Sequence, residues 1–156
     1  MSSFRNPSNG GHLRVETTLE RSRLMSRVRH FGTTPELAVR KALKGMGVSY
    51  GTRNKGLPGT PDLANDRDKW AIFVNGCFWH FHKRCVRGRL PKSNTRFWGS
   101  KRASNRKRDK AKEQQLKDSG YRVLIVWECE SEDRELLNSK VASFFSETTG
   151  PRRVAS

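Results

Sequence analysis

The sequence predicts an α/β fold in which a mixed β-sheet is flanked by helices on both faces. Segments with helical and strand patterns follow one another in the order helix, helix, strand, strand, strand, helix, strand, helix, which is typical of that class. The tight turn "DRDK" at 66–69 lies between two apolar runs and predicts an antiparallel hairpin. The run "YRVLIVWEC" at 121–129 is mainly apolar and predicts a strand in the centre of the sheet.

The helix predicted with most signals is "TTPELAVRKALKGMG". Thr34 can cap its start, Pro35 suits the first helical position, and Gly47 favours an end. Apolar residues recur along this segment at helical spacing, so one face of the helix should be buried. The other helices are predicted at about 18–30, 97–118 and 132–146.

Three strands are predicted between the second and third helices. "VSYGTR" is a short one, the "GTPDLAN" segment leads into a strand that holds Asp62, and Trp70 to Asn75 form a buried strand. Residues 76–96 follow as a long loop without periodicity, and loops of this length are usually functional or disordered.

The chain length suits one domain with a modest core, since it has 156 residues. Residues 1–17 are rich in Ser, Asn, Gly and Arg and predict a flexible arm. The folded domain is expected over 18–148, and a tail over 149–156.

The strongly basic composition points to a polyanionic partner. The formal net charge is +17, while only 33% of the residues are hydrophobic. The alternative is a basic scaffold protein of the ribosomal type. No apolar run is long enough for a membrane span, and the N-terminus lacks the apolar core of a signal peptide. We therefore expect no membrane partner and a cytoplasmic, nucleoid-associated protein.

A zinc site is predicted from the three cysteines and a histidine. Cys77, His82, Cys85 and Cys129 would provide three thiolates and one imidazole, which is a closed tetrahedral zinc set. Such a site is structural, because it keeps no open position. The alternative is that these are ordinary buried cysteines with His82 at the surface.

Asp62 and His80 are the candidate catalytic pair. A Pro-Asp at the start of a strand can direct a carboxylate at a metal ion, although Pro-Asp is also a common turn. The next strand, with Ile72, Phe73 and Val74, offers neither a second carboxylate nor a lysine. His80 is left over once the zinc set is complete, and a histidine can act as general base near neutral pH.

Two further acids have open roles. Glu36 could hold water or the histidine, or it could simply stabilise the start of its helix. Asp109 is an isolated acid in a basic helix, where it could orient a histidine or form ion pairs with Arg106 or Arg108.

Five segments together resemble the very short patch repair (Vsr) DNA mismatch endonucleases. They are "GTPD", "VNGCFWH", "NTRFW", "NRKRD" and "YRVLIVWEC", in this order, and the resemblance covers roughly residues 20–130. It implies a restriction-endonuclease-like fold with a structural zinc. It also implies a magnesium-dependent, strand-specific nick 5′ to the thymine of a T:G mismatch, as produced by deamination of 5-methylcytosine.

The resemblance also assigns roles to residues of the candidate active site. Asp62 would be the metal-binding carboxylate, with the backbone oxygen of Val74 as a second magnesium ligand. His80 would be the catalytic histidine, Glu36 the helical glutamate and Asp109 the supporting aspartate. The zinc set would be the four residues named above.

The resemblance assigns the DNA contacts to aromatic and basic residues. Phe78, Trp79 and Trp98 would wedge into the base stack beside the mismatch, and Met25 would enter from the minor groove. Core packing is the alternative for Phe78 and Trp79. Phosphates would be neutralised by the basic helix, with Lys101, Arg102 and Arg106 as the candidate contacts.

The chain departs from the family pattern at two places. Asn75 stands where a second active-site histidine can occur, and one extra residue separates His82 from Cys85. Two alternatives therefore remain: a related nuclease that acts on another mismatch or cuts both strands, and a non-catalytic, zinc-stabilised DNA-binding module. For the nickase we expect a monomer linked functionally to a cytosine-5 DNA methyltransferase and to mismatch-repair proteins.

Overall fold

The computed structural model describes Arg23 and residues 31–147. The predicted N-terminal arm, most of the first predicted helix with Met25, and the predicted tail lie outside these residues. Within the described part of the chain, no helix is both long enough and apolar enough to cross a membrane. The elements are α1 (Thr34–Gly45), β1 (Gly51–Thr52), β2 (Leu63–Asn65), β3 (Trp70–Asn75), a 3₁₀ turn (Val86–Gly88), α2 (Thr95–Asp118), β4 (Arg122–Trp127), α3 (Glu128–Glu132) and α4 (Arg134–Ser146).

The four strands form one mixed sheet in the order β1-β2-β3-β4. β1 pairs with β2 and β2 with β3 in antiparallel fashion, so the hairpin predicted around "DRDK" is confirmed. β3 and β4 are parallel, with Asn75 opposite Trp127, and α2 makes the crossover between them. The carboxyl ends of β3 and β4 therefore meet at one edge of the sheet.

Helices cover both faces of the sheet, as predicted. On one face, α1 and α4 contribute Val39, Leu43 and Val141 to a core cluster that includes Ile72 and Val126. The opposite face packs under α2 through a smaller cluster of Ala64, Ala71, Leu116 and Tyr121. Side chains of β3 alternate between the two clusters, because successive residues of a strand point to opposite faces.

The prediction that the "VLIVW" strand is central in the sheet is wrong. β4 is an edge strand of the sheet that the described residues form. Its apolar run has another cause: Val126 packs in the α1–α4 cluster, while Val123 packs against the α2 cluster. An edge strand can thus pack against helices on both faces of the sheet.

Several element boundaries also differ from the prediction. α1 begins at Thr34, so Thr33 takes the capping position, and its side chain makes no capping hydrogen bond. Asp62 lies directly before β2 rather than inside it. The helix predicted over 132–146 is confirmed as α4, whereas the short helix α3 was not predicted, because Glu128 and Cys129 were placed in the preceding strand. Asp133 lies between the two helices and caps α4 by accepting a hydrogen bond from the Leu136 N–H.

Candidate active site and metal centre

A cleft of about 230 Å³ opens at the carboxyl end of β3, between the sheet and α2. Side chains alternate between the two faces of the hairpin. Asp62 and Asn75 therefore lie on the α2 side, because Ala64 and Ala71, which are an even number of residues away along the chain, pack under that helix. Asp109 on α2 and His80 on the loop that follows β3 also line the cleft. Four residues predicted separately from the sequence are therefore brought together around one cleft.

Asp62 is held by the backbone of the neighbouring strand. The Val74 N–H donates to Asp62 Oδ2 at 2.7 Å. Burial raises the pKa of Asp62 to about 6, the Val74 hydrogen bond opposes this, and the nearby negative charge of Glu36 raises it further. Ionised Asp62 is thus a half-buried anion, and a cation beside it would offset the cost of its burial.

His80 and Asp109 form a hydrogen-bonded pair. His80 Nδ1 is 2.6 Å from Asp109 Oδ2, and each side chain is about one-third exposed, at 32% and 36%. A carboxylate accepts hydrogen bonds, so the Nδ1–H group of His80 donates one to Asp109. The other ring nitrogen, Nε2, then remains available to accept a proton. The sequence left two roles open for Asp109, orienting a histidine or pairing with Arg106 or Arg108. In the structure, Asp109 is hydrogen-bonded to a histidine.

Three other predicted residues take different positions around the cleft. Asn75 is 9% exposed and lines the cleft, as does Val74. Glu36 is buried, but it does not line the cleft: its carboxylate pairs with Arg40 and accepts the Gly32 N–H at 2.8 Å. Glu36 therefore acts on Asp62 only through its charge in this structure.

Three cleft residues with polar side chains were missed by the sequence analysis: Thr60, Lys112 and Glu113. Lys112 and Glu113 lie three and four residues after Asp109, so all three share one face of α2. That spacing was a usable signal, because a catalytic candidate on a helix identifies the residues one turn away. In a long basic helix, however, nothing in the sequence singles out one lysine from the others.

The predicted metal ligands form a cluster at the sheet edge. One ligand atom each from Cys77, His82, Cys85 and Cys129 lies within 4.8 Å of the others. His82 Nδ1 is 3.6 Å from Cys77 Sγ and 3.4 Å from Cys129 Sγ, so Nδ1 is the nitrogen that faces the thiols. Cys77 follows β3 and Cys129 follows β4, and the parallel pairing of these strands brings the distant fourth residue to the loop.

The chemistry of this cluster suits a metal cation. Burial raises the pKa of the Cys77 thiol to about 12. A lone thiolate is therefore unfavourable at this position, whereas a bound divalent cation would replace the thiol protons and neutralise the sulfur charges. Three thiolates and one imidazole with no open position form a structural donor set.

The loop that carries the cluster is fixed by contacts on several sides. The His82 ring stacks on Trp127, with centroids 4.3 Å apart. Arg87 donates two hydrogen bonds to the Glu132 carboxylate of α3, at 2.6 and 2.8 Å. Gly88 lies so close to the backbone that a methyl group added to it would be 2.2 Å from the His82 carbonyl oxygen.

An aromatic cluster lies between the metal ligands and the start of α2. Phe78, Trp79 and Trp98 pack edge to face, with centroids 5.2 to 5.9 Å apart. All three are partly exposed, and none belongs to the two core clusters. Asn105 of α2 donates to the Trp79 carbonyl oxygen at 3.3 Å and so fixes the backbone of this segment. The core-packing alternative for Phe78 and Trp79 does not match these positions.

The three basic residues predicted as DNA contacts differ in their environments. Lys101 is exposed, and its ammonium lies 5.9 Å from the Trp79 ring centre and 5.6 Å from that of Trp98. Arg106 is partly exposed beside Phe81. Both are placed where a phosphate could reach them, next to the aromatic cluster and the cleft.

Arg102 has a different environment from the one its predicted role requires. It is 3% exposed, and its guanidinium donates to the carbonyl oxygens of Gly88 and Arg89 at 2.7 and 3.0 Å. The same group lies over the Phe78 ring at 4.4 Å. The predicted phosphate contact is contradicted, because a buried guanidinium that is already bound to carbonyls holds the metal loop against α2 instead.

A family model described as "DNA mismatch endonuclease Vsr" matches residues 14–87 of the chain. The matched region contains the Asp62 strand start, the cleft histidine and the first three metal-cluster residues. The model match ends before α2, so it does not reach Asp109 or Cys129.

Several relatives match over most of their length. A type II nicking enzyme of Xanthomonas oryzae pv. oryzae is 44% identical over 118 residues, which are 76% of this chain and 86% of that protein. A type II nicking enzyme of Neisseria meningitidis is 38% identical over 127 residues, 81% of this chain and 90% of its own. The DNA mismatch endonuclease Vsr of Escherichia coli is 37% identical over 126 residues, 81% of this chain and 80% of its own.

Proposed function

Because the chain belongs to the Vsr family of DNA mismatch endonucleases, we propose that it makes a magnesium-dependent, strand-specific nick 5′ to the thymine of a T:G mismatch. The chain is a DNA endonuclease, so DNA is its substrate. The mismatch, the cut strand and the metal ions are the proposed part. The catalytic domain is proposed to extend over residues 18–148.

The observation that carries this proposal is that the cleft and the partly exposed aromatic cluster are adjacent. Trp79 precedes His80 directly in the chain, and His80 Nδ1 is hydrogen-bonded to Asp109. An aromatic residue that enters the base stack would therefore fix the position of the catalytic histidine relative to the backbone of that base step. This coupling is what a mismatch-directed nuclease needs, because it ties the cut to the distorted step.

His80 is proposed as the general base. Its Nε2 accepts a proton from the attacking water, while Asp109 holds the ring in the required orientation and stabilises its positive charge. The water oxygen attacks phosphorus, the bond to the 3′ oxygen breaks, and the departing oxygen takes up a proton from solvent water. The products are a 5′-phosphate and a 3′-hydroxyl. The Asn75 amide, at the end of β3, is proposed to hydrogen-bond a phosphate oxygen.

Magnesium is proposed as the catalytic ion, held by the Asp62 carboxylate and the Val74 backbone oxygen. Both residues line the cleft, and carboxylate and carbonyl oxygens are the ligands that magnesium prefers. The raised pKa of Asp62 agrees with this, since a cation would favour its ionised form. When bound, such an ion polarises the phosphate and stabilises the leaving oxygen. Glu36 is proposed to support the site through its charge.

Zinc is proposed at the cluster of Cys77, His82, Cys85 and Cys129. Soft thiolate ligands favour zinc over magnesium or calcium. The ion would tie the loop after β3 to the end of β4 and would take no part in the reaction.

DNA recognition is proposed to combine insertion with phosphate binding. Phe78, Trp79 and Trp98 would enter the stack beside the mismatch, at an unstacking cost of a few kcal/mol per step. A mismatch lowers this cost, so discrimination arises partly from deformability. Lys101 and Arg106 would bind phosphates. Met25, which lies outside the described residues, is proposed to enter from the minor groove.

The proposed substrate defines the biological setting. T:G mismatches arise when 5-methylcytosine deaminates, so a functional link to a cytosine-5 DNA methyltransferase is proposed, and another to mismatch-repair proteins. The protein is proposed to act as a monomer. With a net charge of +17 it should associate with the nucleoid.

A nicking assay on matched duplexes tests the proposal. The protein is incubated with magnesium and with duplexes that differ in one base pair, which is T:G, U:G, another mismatch or T:A. The products are then separated under denaturing and native conditions. The proposal expects a nick in the T:G duplex without linear breaks, and little cutting of the T:A duplex. Preference for another mismatch, or cutting of both strands, would favour the related-nuclease alternative, and no cutting at all would favour the non-catalytic one.

A further inference from the structure

We propose that Lys112 is a catalytic residue of the cleft, whose ammonium group contacts a non-bridging oxygen of the scissile phosphate. The inference rests on the proposal that the cleft of Asp62 and His80 is the catalytic site. It adds a cation that neither the sequence pattern nor the family resemblance assigned.

The position of Lys112 follows from the geometry of α2. It lies three residues after Asp109, so the two side chains share a face of the helix, and both line the cleft. The lysine stem is packed against the opposite wall. A methyl group added to Gly59 would lie 3.1 Å from Lys112 Cβ and 3.2 Å from its Cδ. The stem thus extends along the segment that leads into Asp62.

The charges around Lys112 leave its ammonium group available. Among the residues that line the cleft it is the one lysine or arginine, whereas Asp62, Asp109 and Glu113 are acidic. Glu113 is already paired with Lys117 at 2.6 Å. Within residues 31–147, no carboxylate lies within ion-pair distance of Lys112. A phosphate that enters the cleft would therefore meet one unpaired cation.

The cleft needs a cation because the strand beneath it has none. β3 contributes Phe73, Val74 and Asn75 to the lining, and none of these can neutralise a phosphate. Placing a phosphodiester next to three carboxylates is repulsive unless positive charge compensates. The magnesium ion proposed at Asp62 would compensate part of this repulsion, and Lys112 supplies further positive charge from the helix on the opposite side of the cleft.

The reaction gives this cation a specific task. Negative charge on the phosphoryl oxygens shifts as the bond to the 3′ oxygen breaks, and preorganised cations that contact those oxygens stabilise the transition state. Lys112 is exposed in the free protein, and bound DNA would exclude water from it, which strengthens the interaction.

The test compares Lys112→Met, Lys112→Arg, Asp62→Ala and the control Lys41→Ala in single-turnover nicking with saturating protein. Lys112→Met keeps the hydrocarbon stem that packs on Gly59 and removes only the charge. Lys41 is an exposed lysine of α1 that does not line the cleft, so Lys41→Ala controls for the loss of one positive charge.

The nicking rate of Lys112→Met should fall about 10²–10³-fold, which is the usual effect of removing one transition-state contact. Lys112→Arg should stay within about tenfold of the wild type, and duplex affinity measured without magnesium should change less than the rate. Lys41→Ala should nick at the wild-type rate.

Two results would overturn the inference: a wild-type rate for Lys112→Met, or equal losses in the Met and Arg variants. If Asp62→Ala is inactive in the same experiment, only the role of Lys112 fails. If Asp62→Ala also nicks normally, the proposed catalytic cleft fails with it.

Discussion

Asp62 has two properties that conflict in the absence of a cation. It is held rigidly by the Val74 N–H, which favours the ionised carboxylate, yet burial and the charge of Glu36 favour the neutral acid. The balance raises its pKa to about 6. A residue in this state binds a metal ion readily, because the ion removes the penalty for ionisation.

The first prediction concerns the stability of the metal-free protein. A raised pKa means that ionised Asp62 destabilises the fold, and this cost is absent below the unfolded value of 3.8 and develops as pH rises through about 6. The full shift corresponds to at most about 3 kcal/mol, and partial exposure reduces that figure. Asp62→Asn should therefore raise the free energy of unfolding by about 1–3 kcal/mol at pH 8 and by much less at pH 4.

Urea denaturation in magnesium-free buffer at the two pH values measures this difference. The Asn oxygen can still accept the Val74 N–H, so the variant changes charge and little else. Asp68→Asn, in the exposed turn between β2 and β3, controls for the loss of one negative charge. An equal effect of Asp62→Asn at both pH values would show that its ionisation is not penalised by the fold.

At the scale of residues, sequence reasoning succeeded where chemistry is concentrated in a few rare residue types. All three cysteines are in the metal cluster, and His80 is hydrogen-bonded to the isolated acid Asp109. It failed where many residues of one type compete. Arg102 and Lys112 look alike in a basic helix, but the first is buried against loop carbonyls and the second lines the cleft. Their different environments depend on which side of α2 each residue occupies relative to the sheet, and this cannot be read from a uniformly basic segment.

The loop between β3 and α2 is an element without a hydrophobic core of its own. The loop is held by the Arg87–Glu132 ion pair and the hydrogen bonds from Arg102 to Gly88 and Arg89, and the proposed zinc would hold it further. Gly88 is needed for close approach of two loop segments. The aromatic cluster and His80 depend on this loop, so its rigidity determines how well they are positioned.

The second prediction tests that close approach. Gly88→Ala places a methyl group against the His82 carbonyl oxygen, so the backbone must shift, which should cost about 1–3 kcal/mol of stability and weaken metal retention. Gly99→Ala is the matched control, because nothing lies within 4 Å of a methyl group there and α2 should gain about 0.5–1 kcal/mol.

Thermal unfolding and elemental analysis of both variants provide the measurement. The wild type should contain one equivalent of zinc when it is purified without chelators, and Gly88→Ala should contain less. A Gly88→Ala protein with wild-type stability and zinc content would show that the loop is not packed as described. Wild-type protein without zinc would remove the proposed role of the four ligands.

The third prediction concerns the aromatic cluster. Trp79→Ala should weaken binding to a T:G duplex more than binding to the same duplex with a T:A pair, because insertion is cheaper at a mismatch. Arg106→Ala should weaken both by a similar factor, since phosphates are the same in the two duplexes. Affinities are measured at one salt concentration without magnesium. An equal loss on both duplexes for Trp79→Ala would count against insertion.

At the scale of elements, the restriction-endonuclease-like, mixed α/β fold expected from the sequence is confirmed. Hydropathy identified β3 and β4 because each is a run of mainly apolar residues, whereas α2 was predicted from a long basic segment that ends at Gly120. It misplaced β4 within the sheet. An edge strand between two helical layers has apolar residues on both faces, and so does a central strand, so the two cannot be distinguished by hydropathy. The short helix α3 was missed because it follows β4 directly and no glycine or proline marks the change from strand to helix.

At the scale of the whole molecule, one topological feature brings the functional parts together. The parallel pairing of β3 and β4 places the metal cluster at the same sheet edge as the cleft, and α2 passes over both. The net charge of +17 attracts any DNA, so charge alone cannot select a mismatch. In the proposed mechanism, selection comes from the aromatic cluster, and the cut is made in the cleft beside it.

In the proposed mechanism, this cleft cuts one strand of a T:G duplex at the mismatch. The most direct test of this mechanism is single-turnover cleavage of a T:G duplex in which each strand carries a different 5′ label, with the wild type, Asp62→Ala and His80→Ala. One cut should appear, 5′ to the mismatched thymine, while the guanine strand stays intact. His80→Ala should be slower by about 10²–10⁴-fold, and Asp62→Ala should bind the duplex without cutting it. Cuts in both strands, a cut away from the thymine, or wild-type rates in both variants would contradict the account.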